Sequence, residues 1–108
     1  MSNHYTSHQK QKFRMLLMAE GQKVADRLAR VLAGEDLRLE DMQGLDLRSK
    51  GEPPKVRLRR FLDHLTATQR IVETDEFGLC SQCLSHIPAV ELEQMPWVDT
   101  CLRCVSQR

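Results

Sequence analysis

The residues with the clearest chemical potential in this chain are its four cysteines, Cys80, Cys83, Cys101 and Cys104. They form two CxxC pairs separated by 17 residues, in the pattern C-x2-C-x17-C-x2-C. Each pair turns tightly enough to aim two thiolates at one tetrahedral cation, and a gap of roughly 15–20 residues between pairs is typical of zinc sites. The spacing therefore predicts that all four cysteines bind a single Zn²⁺.

Four thiolates would complete the coordination of Zn²⁺ and leave no position for a reactive water, so the predicted ion is structural. The alternatives are two disulfides or four unrelated thiols, although disulfides are rare in cytoplasmic proteins. A zinc-free pair could also oxidise to a disulfide. We expect His86 to lie on the surface or beside the site rather than to bind the metal, and Arg103 is a candidate hydrogen-bond donor to the thiolates.

Composition indicates a small chain that needs help to fold. Of its 108 residues, 29% are charged and only 5% are aromatic, which is poor material for a large core. The net charge of +1 gives no general electrostatic reason to bind nucleic acid or an anionic membrane. No long apolar run is present, and the N-terminus lacks the apolar core of a signal peptide. We expect a soluble protein of the reducing cytoplasm.

A first predicted helix runs from Gln9 to about Ala33 and must help to position the cysteine region. Residues 1–9 are polar and without periodicity, which predicts a flexible arm, and Ser7 is a candidate N-cap. Gly34 is placed to end the helix. The apolar residues of this helix recur at steps of three and four residues and are Phe13, Leu17, Val24, Leu28 and Val31.

A second predicted helix opens at Pro53 and Pro54, where proline is favoured because first-turn N–H groups have no intrahelical partner. Its apolar face comprises Leu58, Phe61, Leu62, Leu65 and Val72. The predicted fold is mainly α: an antiparallel helical hairpin (a coiled coil) at residues 10–74 with a connecting loop at 34–53, then a small zinc finger at 75–108. A two-helix hairpin leaves its apolar stripe partly exposed, so both a monomer and a homodimer remain open.

Charge is unevenly divided around the connecting loop. The charged residues within 35–46 are mostly acidic, and the charged residues within 48–60 are mostly basic. Such runs of like charge usually form solvent-exposed faces without a binding role. The alternative interpretation is that one of these two segments docks onto a partner. Direct DNA binding is less favoured, because the basic residues near the start of the second helix flank the hairpin tip and do not continue a broad basic patch. These residues are Lys55, Arg57, Arg59 and Arg60.

The region from Phe77 to Cys104 resembles the zinc finger of the DksA/TraR family of bacterial transcription factors. The matches are Phe77-Gly78, all four cysteines with their 17-residue gap, and three apolar positions, with Arg70-Ile71 similar to the approach into the finger. The three apolar positions are Ile87, Leu92 and Pro96. Leu84 and Glu91 stand where the family usually has Gly and Arg, and the DxxDxA motif of the family's tip is absent between Glu35 and Pro54.

The resemblance implies a transcriptional regulator that binds RNA polymerase. Family members insert the coiled-coil tip through the secondary channel and alter initiation, often together with ppGpp. We expect the chain not to be an enzyme, because it has no GxSxG, no HExxH and no phosphate-binding Gly-rich loop. A zinc-stabilised interaction adaptor or a weak DNA-binding protein is the alternative. Trp97 is expected to pack over the CxxC pairs.

Overall fold

The computed structural model describes residues 5–39 and 51–106, and these residues form four helices and a compact cysteine-containing region. The helices are α1 Ser7–Leu32, α2 Pro54–Ile71, α3 Ala89–Gln94 and α4 Leu102–Val105. The mainly α prediction is confirmed for these residues, and most of the predicted loop, residues 40–50, lies outside them. Within the described ranges, no helix is long and apolar enough to cross a membrane.

The start of α1 is fixed by a reciprocal pair of hydrogen bonds. The backbone N–H of Gln9 donates to Thr6 Oγ1 at 3.1 Å, and the backbone N–H of Thr6 donates to Gln9 Oε1 at 2.9 Å. This capping box satisfies two N–H groups that a helix start would otherwise leave unpaired. The helix therefore begins at Ser7, two residues before the predicted start, and the N-cap is Thr6 and not Ser7.

The end of α1 follows the prediction closely. Gly34 has a φ of 98°, a left-handed conformation that only glycine adopts without strain. Its N–H donates to the carbonyl of Val31 at 3.0 Å, and the N–H of Glu35 donates to the carbonyl of Arg30 at 3.0 Å. These two bonds form a Schellman motif, which pairs carbonyls that the last turn leaves unbonded. Gly34 thus ends the helix.

Helices α1 and α2 pack against each other in opposite directions, forming the predicted hairpin. Arg14, near the start of α1, forms an ion pair with Glu73, just beyond the end of α2. At the other end of the hairpin, Leu32 of α1 and Val56 of α2 line the same groove. Pro53 caps α2 and Pro54 is its first residue, as the sequence predicts.

One continuous core joins the hairpin to the cysteine region. It contains Phe13 and Leu17 of α1, Leu58 and Leu65 of α2, and a set of buried residues beyond the hairpin. That set is Val72, Phe77, Cys80, Ile87, Leu92 and Cys101. The hairpin and the finger were predicted as successive segments, and they fold as neighbours in one hydrophobic cluster.

Tyr5 corrects the prediction of a flexible arm at residues 1–9. Its side chain is only 3% exposed, and its ring makes edge-on contacts with Phe13 and Phe77 at centroid distances of 5.6 and 5.7 Å. The prediction is wrong for residues 5–9, because burial of this aromatic ring and the Thr6 cap hold the chain against the finger. Residues 1–4 lie outside the described ranges.

A comparison of two glycines tests the packing of Tyr5. Gly78 has a φ of 81°, and a Cβ at this position would overlap the Tyr5 hydroxyl and ring. Gly34 has a similar φ of 98°, but nothing lies within 4 Å of its Cβ position. We expect Gly34→Ala to destabilise the protein by about 1 kcal/mol through backbone strain alone, and Gly78→Ala to cost about 3 kcal/mol or more because of the added overlap.

Denaturant midpoints of the metal-loaded variants measure this difference. Equal losses for the two substitutions would show that Tyr5 does not occupy the space beside Gly78.

Candidate metal centre

The four cysteine sulfur atoms predicted to act together do meet in the structure. All four lie within 4.8 Å of one another. The Sγ atoms of Cys83 and Cys101 are 4.0 Å apart, close to the roughly 3.8 Å expected for two thiolates on a tetrahedral ion with bonds of about 2.3 Å. A disulfide would need about 2.05 Å, and all four cysteines are free.

The first CxxC pair is shaped by a tight backbone turn. The N–H of Leu84 donates to the carbonyl of Cys80 at 2.9 Å, and the N–H of Cys80 donates to the carbonyl of Ser85 at 2.8 Å. Leu84 closes this turn with a φ of 61°, in the left-handed region. Its side chain is 76% exposed. Glycine adopts this left-handed backbone conformation without strain, whereas the leucine at this position adopts it with strain.

The second CxxC pair lies at the start of α4 and is held by Glu91, whose contact the sequence analysis did not predict. The carboxylate of Glu91, in α3, accepts the backbone N–H of Leu102 at 2.9 Å. This N–H opens α4 and has no partner within the helix. The N–H of Ser81, in the first pair, donates to the carbonyl of Asp99 at 2.8 Å. The two CxxC regions are thus joined to each other by a backbone hydrogen bond, and the second pair is joined to α3 by the Glu91 side chain.

Backbone N–H groups also point at sulfur. Those of Gln82 and Cys101 donate to Cys80 Sγ, each at 3.4 Å. Backbone hydrogen bonds from Cys83 and Cys101 lower the pKa of Cys80 to about 6. Hydrogen bonding to the Cys101 sulfur and burial raise the pKa of the Cys104 thiol to about 12. The cluster therefore favours a thiolate at one position and resists a full set of thiolates unless a cation neutralises them.

The donor set fits one soft or borderline metal ion. Cys80 and Cys101 are buried while Cys83 and Cys104 are half-buried, so the sulfur atoms form a compact, mostly shielded group. Four sulfur ligands complete a tetrahedral site without a water. The four cysteines could together bind one metal ion, in an arrangement that suits a structural role.

Two other residues considered from the sequence are His86 and Arg103. His86 is not among the clustered ligands, and its Nε2 lies 3.4 Å from the carbonyl oxygen of Asp75. Its ring contacts Tyr5 edge-on at 5.8 Å. Arg103 is exposed, and the hydrogen bonds described above at Cys80 Sγ come from backbone N–H groups. The hydrogen bonds described at Cys80 Sγ therefore come from the main chain and not from Arg103.

Tyr5 connects the metal centre to the start of α1. Its hydroxyl donates to the buried carbonyl of Ile87 at 2.6 Å, and Ile87 follows the first CxxC pair. Burial, with a contribution from the charge of Glu91, raises the pKa of Tyr5 to about 12, so the hydroxyl keeps its proton near neutral pH. Nothing in the periodicity of the sequence signals this contact, because Tyr5 and Ile87 are 82 residues apart.

Trp97 and His64 form a second connection between the finger and the hairpin. The Trp97 ring packs edge-on against Phe61 of α2 at 5.6 Å. The Nε2 of His64, also in α2, lies 2.5 Å from the Trp97 carbonyl, which can only accept, so this nitrogen donates. Trp97 was predicted to pack over the CxxC pairs; it is partly buried against the core that includes Cys80 and Cys101, and its ring contact with Phe61 lies at the junction with α2. The indole N–H of Trp97 is buried without a partner among the described residues.

No family model matches the chain, and neither a curated protein nor a solved structure matches it.

The strained Leu84 gives a direct test of the first turn. Leu84→Gly should stabilise the metal-loaded protein by about 0.5–1 kcal/mol, because relief of the left-handed strain outweighs the greater freedom of glycine in the unfolded chain. Little packing is lost, since the leucine is 76% exposed. The measurement is the denaturant midpoint.

Leu102→Gly is the matched control, because Leu102 is 65% exposed but lies at the start of a helix. It should be neutral or destabilising. A loss of stability at both positions would contradict the assigned conformation of Leu84.

Proposed function

We propose that the four cysteines hold one structural Zn²⁺ and that the chain regulates transcription by binding RNA polymerase through its helical hairpin. The observation that carries this proposal is the combination of a four-cysteine centre with a hairpin docked against it. The order and the cysteine spacing are those of the DksA/TraR proteins that the finger resembles. The polymerase part of the proposal derives from that resemblance.

Zinc is favoured over other metals by the donors. Thiolates suit Zn²⁺, which accepts tetrahedral sulfur ligands without redox chemistry of its own. Cys80, Cys83, Cys101 and Cys104 would hold it. When bound, the ion supplies positive charge and four bonds that cross-link two loops, and it activates no water. The side chains around it position the two CxxC pairs, as Glu91 does through the N–H of Leu102.

The hairpin is suited to reach into a partner. The finger contacts the start of α1 through Tyr5 and Phe13, the end of α2 through Val72, and the middle of α2 through Trp97 on Phe61. The part of the hairpin that holds the start of α2 therefore lies beyond these contacts. Between Pro54 and Phe61, α2 rises about 10 Å at 1.5 Å per residue. This end of the hairpin would enter a channel while the finger stays at its mouth.

Metal analysis tests the zinc assignment. We expect one Zn²⁺ per chain, and Cys101→Ser should weaken zinc binding by about 100-fold or more because a thiolate ligand is lost. Competition with a chromophoric chelator measures this affinity. His86→Ala is the control and should keep the stoichiometry and affinity, since His86 lies outside the sulfur cluster. Full loss of zinc in His86→Ala, with Cys101→Ser unaffected, would contradict the assignment.

Binding to core RNA polymerase tests the functional proposal. The zinc-loaded chain should bind at micromolar concentrations, and a Lys55→Glu/Arg59→Glu variant at the hairpin tip should bind about tenfold or more weakly. Lys23→Glu, which reverses an exposed charge in the middle of α1, is the control and should bind normally. Absence of binding by the intact chain would remove this function and leave the adaptor alternative. Equal weakening by both variants would contradict binding through the tip.

Duplex DNA is the second candidate, because Lys55, Arg59 and Arg60 line one groove. The charge there is reduced, since both guanidinium terminal nitrogens of Arg60 pair with the Glu52 carboxylate at 2.7 and 2.9 Å and Asp63 lines the same groove. DNA binding through phosphates would weaken steeply with salt. Affinity that is undetectable at low salt, or unchanged by salt, would exclude this alternative.

A further inference from the structure

A second stripe, apolar except for one glutamine, runs along α1 on an exposed face. Its members are spaced alternately by three and four residues over 18 residues of the helix, and all are exposed. They are Met15, Met18, Gln22, Ala25, Ala29 and Leu32. Met15, Met18 and Leu32 are 64%, 51% and 58% exposed. This set is named the outer seam.

The outer seam is separate from the face that builds the core. Met18 and Ala25 each follow by one residue a buried position, Leu17 and Val24, so the outer seam lies about 100° around the helix from the core face. An alternating three- and four-residue spacing of apolar positions is the pattern of a helix that packs on another helix. Within the hairpin, α2 occupies the core face, and the outer seam has the spacing for another helix.

We propose that the outer seam binds the outer seam of a second copy of this chain, with the two α1 helices antiparallel. Towards the centre of the contact this arrangement sets larger side chains against alanines, and at each end it sets two large apolar side chains together, which fills space along the contact. The facing pairs are Met15 with the partner's Leu32, Met18 with the partner's Ala29, and Gln22 with the partner's Ala25. A parallel pair would instead place Ala25 and Ala29 against themselves and leave a gap.

Charges beside the outer seam favour the same direction. Arg14 precedes its first residue and Glu35 follows its last residue by three positions. In the antiparallel pair, each Arg14 lies near the partner's Glu35, whereas a parallel pair would bring the two Arg14 side chains together. Arg14 and Glu35 already pair within the chain, with Glu73 and Arg30. Exposed ion pairs exchange at little cost, so these residues can also serve the dimer.

An open groove accommodates the end of the contact. Leu32 lies in it with Lys55, Val56 and Arg59, and the groove has a volume of about 500 Å³. In the antiparallel arrangement, the partner's Met15 comes to Leu32 at this groove. Methionine is unbranched and flexible, and it fills irregular apolar spaces well. The second copy therefore covers both the outer seam and the apolar part of the groove. Because Lys55 and Arg59 line the same groove, the dimer and the proposed polymerase contact would exclude each other.

The mass of the full, zinc-loaded chain in solution tests the proposal. Sedimentation equilibrium from about 1 to 200 µM should show a mass rising from 12.5 kDa towards twice that value. Ala25→Glu, at the centre of the outer seam, should raise the dimer Kd by about tenfold or more because it buries two carboxylates. Ala19→Glu is the matched control, an exposed alanine of the same helix outside the outer seam, and should change it by less than about threefold.

Exchanging the charges of Arg14 and Glu35 tests the antiparallel direction of the two α1 helices. Arg14→Glu should weaken the dimer, and adding Glu35→Arg should restore it, because the reversed charges again lie opposite each other only in the antiparallel pair. Helical content by circular dichroism confirms that each variant folds. A chain that stays monomeric at 200 µM would overturn the proposal. Equal weakening by Ala25→Glu and Ala19→Glu would overturn the use of the outer seam, and failure of the charge exchange would overturn the antiparallel direction.

Discussion

The structure depends on the contact among Tyr5, Phe13 and Phe77. These three rings bring together the residues before α1, α1 itself and the segment that leads into the first CxxC pair. The Tyr5 hydroxyl then donates to the carbonyl of Ile87. A chain with 5% aromatic residues thus concentrates three of them where the hairpin meets the finger. This concentration explains how a short, charge-rich sequence supports a single core.

The four-cysteine cluster and this core share residues. The core positions Cys80 and Cys101, which belong to the buried cluster, while Glu91 and the Ser81–Asp99 backbone bond join the two CxxC pairs. A metal ion would bind four sulfur atoms that these contacts already bring together. The outer seam of α1 stays exposed to solvent in the single chain.

The sequence predicts the parts of the structure that rest on local spacing. Periodic leucines and the two prolines locate the helices, Gly34 marks the end of α1, and the CxxC spacing identifies the four clustered sulfur atoms. Contacts between distant residues could not be predicted this way. Tyr5 is a lone aromatic in a polar stretch, and its partners Gly78 and Ile87 are 73 and 82 residues away. The contact of Trp97 with Phe61 of α2 is missed for the same reason.

The central claim is that hairpin and finger form one cooperative unit. Denaturant unfolding of the zinc-loaded chain, followed together by far-ultraviolet circular dichroism and by fluorescence of its one tryptophan, tests this most directly. Circular dichroism reports mainly α1 and α2, and Trp97 reports the junction with the finger. A shared core predicts coincident transitions with one midpoint. A fluorescence transition that is complete while the helices remain folded would contradict the claim.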